Sequence, residues 1–138
     1  MTAALNPYLN FGGHTREAMA FYQQVLGGEL TVQTFAEFGM PTSPAYQDKV
    51  MHARLDADGA VIMASDVREG TEPVMGDNIT LSLSGGPAEH DHLTGIFAAL
   101  AEGGVTMMPL AEVPWGATFG MLTDRFGIQW MVNIDTNS

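Results

Sequence analysis

WGATFGMLTDRFGIQWMVNI, residues 115 to 134, sets two apolar alternating runs on either side of Asp124-Arg125-Phe126-Gly127. Period-two alternation flanking a glycine-bearing turn predicts a strand, a tight turn and a second strand ending in Met131, Val132 and Asn133. Upstream, VTMMPLAEV reads as a further strand, in which Pro109 requires an edge position or a bulge. The segment from about His90 to Glu102 places Leu93, Ile96, Phe97 and Leu100 on one helical face before Gly103-Gly104. NITLSLSGG (78 to 86) predicts another strand, closed by a glycine pair.

The first half of the chain repeats this order. NPYLNF (6 to 11) predicts a short strand closed by Gly12-Gly13. Thr15 is the expected N-cap of a helix through REAMAFYQQVLGG, with Ala18, Phe21, Tyr22 and Val25 at helical spacing. The Phe21-Tyr22 pair belongs on the core face. ELTVQTFAEF (29 to 38) reads as a strand, and GMPTSPAYQDK (39 to 49) as a loop. VMHARLDADGAVIMASD (50 to 66) predicts two strands meeting at Asp58-Gly59. VREGTEPVMGD (67 to 77) is a polar connection and the expected hinge. Each half thus reads β-α-β-β-β, so the expected fold class is α+β. One domain spans 1–138, with module one at about 5–67 and module two at about 77–136.

Composition narrows the function. A chain of 138 residues that is 46% hydrophobic suits one compact unit with its own core. Five basic residues against sixteen acidic ones disfavour nucleic acid and anionic membrane surfaces as partners, because few cations can replace condensed counterions. With no cysteine, disulfides and thiolate chemistry are excluded. No run of about 18 apolar residues occurs, and the expectation is a soluble cytoplasmic protein. The glycine pairs punctuate element ends and form no phosphate-cradling motif.

Two βαβββ modules, REAMAFYQQVLGGEL after the first strand and the WGATFGMLTDRFGIQWMVN ending together resemble the vicinal oxygen chelate superfamily of glyoxalase, bleomycin-resistance and extradiol dioxygenase proteins. The nearest branch is the PhnB-like proteins, some of which carry an inherited demethylubiquinone methyltransferase label. The resemblance implies open curved mixed sheets with helices outside, a pocket in the concavity and a homodimer. Methyl transfer finds no support in the pattern, which builds short antiparallel strands rather than a parallel sheet with a glycine-rich cofactor turn.

The resemblance also implies a divalent ion held by the first and last strand of each module. Those positions fall on Pro7 (or Tyr8, one residue on), Met63, Asn78 and Met131. None is a good donor for a hard or borderline divalent cation, so neither a metal site nor a cofactor is expected. Of the histidines, His14 borders the first glycine turn, and His90 with His92 reads as an exposed pair, since i,i+2 spacing does not share a helix face. His52 alternates with Arg54 and Asp56 opposite Met51, Ala53 and Leu55, and is the candidate general base or hydrogen-bond donor. Alternation also separates Asn78, Thr80, Ser82 and Ser84 from Ile79, Leu81 and Leu83, and Gln129, Met131 and Asn133 from Ile128, Trp130 and Val132. The expected ligand pocket is therefore Tyr8, Met63, Asn78, Thr80, Ser82, Trp115, Phe119, Met131 and Asn133. The expected function is binding, with or without metal-free transformation, of a small organic molecule; the alternative is a metal-dependent glyoxalase or dioxygenase with other ligands.

Overall fold

The computed structural model describes residues 3–136. The chain divides into two compact units, Met1–Val74 and Met75–Ser138. The first contains β1 (Tyr8–Phe11), α1 (Thr15–Leu26), β2 (Glu29–Thr34), β3 (Val50–Ala57) and β4 (Ala60–Asp66). The second contains β5 (Leu81–Gly85), α2 (His90–Ala101), β6 (Val105–Val113), β7 (Ala117–Thr123) and β8 (Gln129–Asp135). Each unit forms one open four-stranded mixed sheet, ordered β1-β4-β3-β2 and β5-β8-β7-β6. In both, the first strand pairs in parallel with the last and the remaining pairs are antiparallel.

One face of each sheet is closed by its helix. In the first unit Ala53, Leu55, Ile62 and Ala64 are buried, as are Ala18, Met19 and Tyr22 of α1. In the second, Leu122, Trp130, Val132 and Ile134 are buried, as are Leu93, Ile96, Phe97 and Leu100 of α2. A Cβ on Gly120 would lie 2.9 Å from the Phe97 ring, which fixes the α2 side of β7 and turns Phe119 and Met121 the other way.

The second glycine of the pair after each helix has the same physical cause in both units. A Cβ on Gly28 would sit 2.2 Å from the Asp56 carbonyl oxygen, and one on Gly104 would sit 2.2 Å from the Thr123 carbonyl oxygen. At both places the chain leaving the helix crosses the end of the unit's third strand with no room for a side chain. The expected result for Gly104→Ala is a loss of about 1–3 kcal/mol in urea unfolding, the usual cost of overpacking. Gly95→Ala, with open space around the new methyl, is the control.

Four boundaries differ from the sequence expectation. β1 spans Tyr8–Phe11, so Asn6 and Pro7 precede it. β2 stops at Thr34, because Thr34 N–H donates to Glu37 Oε1 while Glu37 N–H donates to Thr34 Oγ1, a reciprocal turn that ends the ladder. The Thr34 backbone and then its hydroxyl hold the Glu37 carboxyl below its ordinary pKa. β5 begins at Leu81, so Asn78, Ile79 and Thr80 lie outside it. Leu81 pairs with Trp130, and residues preceding β8 are taken up by the Asp124 turn, leaving Asn78 and Ile79 no ladder to join.

Finally, Thr15 is not the N-cap. His14 holds that position without a side-chain cap, and the capping oxygen comes from the far end of β4. Asp66 Oδ1 accepts from Gly13 N, Thr15 N and Thr15 Oγ1 at 2.9, 3.0 and 2.7 Å, and Oδ2 accepts from Val50 N at 2.9 Å. One carboxylate 4% exposed thus joins the start of α1, the start of β3 and the end of β4, at the positive end of the helix dipole.

Candidate functional site

The stretch that decides the fold is held by its own aspartate. Asp124, 3% exposed, accepts from Phe126 N and Ile128 N at Oδ1 and from the indole nitrogen of Trp130 at Oδ2 (2.8, 3.0 and 2.9 Å). Asp124 N–H donates to Ile128 O, and Gly127, at φ +89°, donates back to Asp124 O. The Asp-x-x-Gly-Ile-x-Trp pattern is therefore a structural staple that fixes β8 against β7.

What the staple positions is the helix-free face of the second sheet. Cα pairing runs one row across all four strands: Ser82 with Met131, Met131 with Met121, Met121 with Met108. The next row runs Ser84, Asn133, Phe119 and Ala111. Ser82 and Ser84 are exposed, and Phe119, Met121, Met131 and Asn133 are half-buried. Asn133 Nδ2 donates to Asp135 Oδ1 at 3.3 Å. Trp115 stands in the β6–β7 turn, 65% exposed, edge-on to Phe119 with ring centroids 5.7 Å apart.

The corresponding face of the first unit carries Tyr8, His52 and Met63. Tyr8 is the Cα partner of Met63, and Met63 that of Arg54. The Tyr8 and His52 rings lie 6.0 Å apart. His52 and Met63 are half-buried. Arg54 donates from Nε and a terminal nitrogen to both oxygens of Asp56 (2.9 and 3.0 Å) and so holds that carboxyl below its ordinary pKa.

Within its own unit, each face thus gathers several of the expected residues: Tyr8, His52 and Met63 in the first; Ser82, Phe119, Met131 and Asn133 in the second. Asn78 and Thr80 stand apart, before β5, and Asn78 is exposed. The sequence reading missed Met121 and Met108. Alternation with Phe119 could have found Met121, but the register shifts on both sides of Met108 hide its partner.

The divalent ion implied by the resemblance was tested against these pairings. Register puts Tyr8, not Pro7, beside Met63, and Ser82, not Asn78, beside Met131. A phenol, a hydroxyl and two thioethers are a poor donor set for a hard or borderline dication, so the residues do not fit that metal.

A separate cleft of about 260 Å³ lies in the first unit at the start of α1, lined by Gly13, Arg16, Asp48, Lys49 and Asp66 among others. Three of its lining residues are tied into the fold: Arg16 donates to Asp48 O, Lys49 Nζ donates to Gly13 O, and Asp66 holds the helix start.

Residues 3–133 match the model of the family described as 3-demethylubiquinone-9 3-methyltransferase. The chain belongs to this PhnB-like family. It is 33% identical to YjdN of Escherichia coli K12, over 94% of each chain. It is 39% identical to the solved protein PA1353 of Pseudomonas aeruginosa, with a TM-score of 0.87 over 99% of this chain and 100% of that one. The fold extends to a glyoxylase/bleomycin resistance protein/dioxygenase domain from Frankia sp. EAN1pec, at TM-score 0.67 and 15% identity over 99% of each chain. The PhnB-like chain therefore has the glyoxalase/bleomycin-resistance fold. Among its described residues, no helix is long and apolar enough to cross a membrane.

Proposed function

We propose that this PhnB-like protein binds a small organic molecule on a helix-free sheet face, by apolar burial and a few hydrogen bonds, without a divalent metal. One observation carries the reading: in the second unit, half-buried Phe119, Met121 and Met131 share a face with the hydroxyls of Ser82 and Ser84 and the amide of Asn133. Unbranched thioethers and an aromatic ring adapt to an irregular apolar body, and a small number of polar groups fixes its orientation. In the first unit Tyr8, His52 and Met63 supply a second surface of the same kind. If turnover accompanies binding, His52 is the residue placed to move a proton.

The methyl transfer named in the family's description is not the reading favoured here. The glycine-bearing turn from β1 to α1 is the place where a strand-to-helix turn could meet a cofactor. Its Gly13 and Thr15 N–H groups are donated to Asp66 instead. The proposal also carries a homodimer in the cytoplasm, which sedimentation and fractionation test.

The first experiment is a thermal-shift screen of small organic molecules on untagged protein. A ligand at one hundred times its Kd adds about 2.7 kcal/mol of stability. Phe119→Ala and Met131→Ala should each weaken such a ligand about tenfold or more, because burying either side chain contributes about 1.5–3 kcal/mol. Elemental analysis after exposure to nickel, zinc, manganese and iron runs in parallel. Near-stoichiometric retention of one of these metals, or a ligand indifferent to both substitutions, would overturn the proposal.

A further inference from the structure

We infer that the helix-free face of the second unit holds a site for a soft monovalent cation, Cu(I) or its air-stable stand-in Ag(I), built from the thioethers of Met108, Met121 and Met131. The site shares its face with the proposed organic ligand but does not depend on that reading. Met131, Met121 and Met108 are direct Cα partners on three neighbouring strands. Directly opposed side chains have Cβ atoms about 4.5–5.5 Å apart. Methionine is unbranched, so three sulfurs starting from one row can turn toward a common centre without moving backbone.

A fourth thioether lies close by. The register shift between Thr106 and Met108 leaves Met107 without a ladder partner. Its sulfur accepts from Thr123 Oγ1 at 3.6 Å, two residues along β7 from Met121 on the same face. Met107 and Met108 are 49% and 43% exposed, and Met121 and Met131 half-buried, so an ion from solvent can reach the row.

The chemistry selects the ion. Neutral thioethers are soft ligands that favour Cu(I) and bind hard or borderline dications weakly. Among the described residues no group of three or more histidine or acidic side chains is arranged to hold a harder metal. The second unit carries seven acidic residues against one arginine, so its field concentrates cations near the thioethers.

The test is Cu(I) competition against the chromophoric chelator bicinchoninate, under reducing anaerobic conditions, with untagged protein and no organic ligand. The expected result is withdrawal of one equivalent of Cu(I). Met108→Leu, Met121→Leu and Met131→Leu should each weaken it by about tenfold or more, at least the scale of outer-shell losses at metal sites. Met40→Leu and His92→Ala should leave it unchanged. Leucine keeps side-chain volume, the kind of apolar exchange that proteins tolerate best. Should a variant fail to fold, Ag(I) added to wild-type protein carrying ¹³C-methyl methionine gives the answer, with the methyl signals of this row expected to move. No withdrawal of Cu(I), affinity unchanged in all three leucine variants, or Ag(I) shifts that spare these methyls would each overturn the inference. Because no organic ligand is present, that outcome leaves the proposed ligand binding to stand or fall by its own screen.

Discussion

Asp124→Ala lowers the free energy of unfolding by about 3–5 kcal/mol, measured by urea denaturation. The substitution leaves two backbone N–H groups and the indole N–H of Trp130 without their acceptor, in a position 3% exposed. Each buried donor left unsatisfied costs about 1–3 kcal/mol, and the missing carboxyl adds a void. Asp124→Asn separates the parts. Its amide oxygen can still accept from Phe126 and Ile128, but its NH2 group then faces the indole N–H, donor against donor. Trp130→Phe removes that conflict, so the double variant should be less destabilised than the sum of the two single variants. Strict additivity would show that the indole bond does not couple to the turn.

Asp66→Ala has a comparable expected effect, about 3–5 kcal/mol, by the same physics in the other unit. Four donors lose their partner: Gly13 N, Thr15 N, Thr15 Oγ1 and Val50 N. The start of α1 also loses the negative charge that complements its dipole. Hydrogen exchange locates the damage. Amides of α1 and the start of β3 should open first in the Asp66 variant, and amides of β7 and β8 first in the Asp124 variant. Equal loss of protection in both units from either substitution would contradict the assignment of one staple to each.

The two aspartates show where sequence reading succeeds and where it stops. Local patterns were legible: Asp58-Gly59 closes the β3–β4 hairpin with Gly59 at φ +80°, and Pro109 lies on an edge strand with register shifts. The Asp124-Arg125-Phe126-Gly127 turn was legible because the hydrogen bonds of Asp124 to Phe126, Ile128 and Trp130 are local in sequence, within six residues. Asp66 left no such signal, since its partners at the start of α1 are more than fifty residues away. Thr15 therefore looked like a cap, although its hydroxyl donates to Asp66.

The candidate site divides along the same line. Alternation set Ser82 on one face of its strand and Met131 with Asn133 on one face of theirs, because period two survives wherever a strand is regular. Tyr8 and Met63 came from the resemblance, and the pairing register is what brings them together on the face that carries His52. Asn78 and Thr80 were misplaced because strand length depends on the partner: β5 extends only as far back as β8 can pair. Met108 could not be assigned, because the register of β6 shifts on either side of it and no local residue pattern fixes that register.

The claim that an organic molecule binds against this methionine-lined face is tested most directly by recording ¹³C-methyl methionine spectra while adding a ligand found by thermal shift. The account predicts that the Met121 and Met131 signals move, while Met19, on the buried face of α1, and Met40, in the loop after β2, stay in place. Saturable binding that leaves Met121 and Met131 unmoved would place the ligand elsewhere and contradict it.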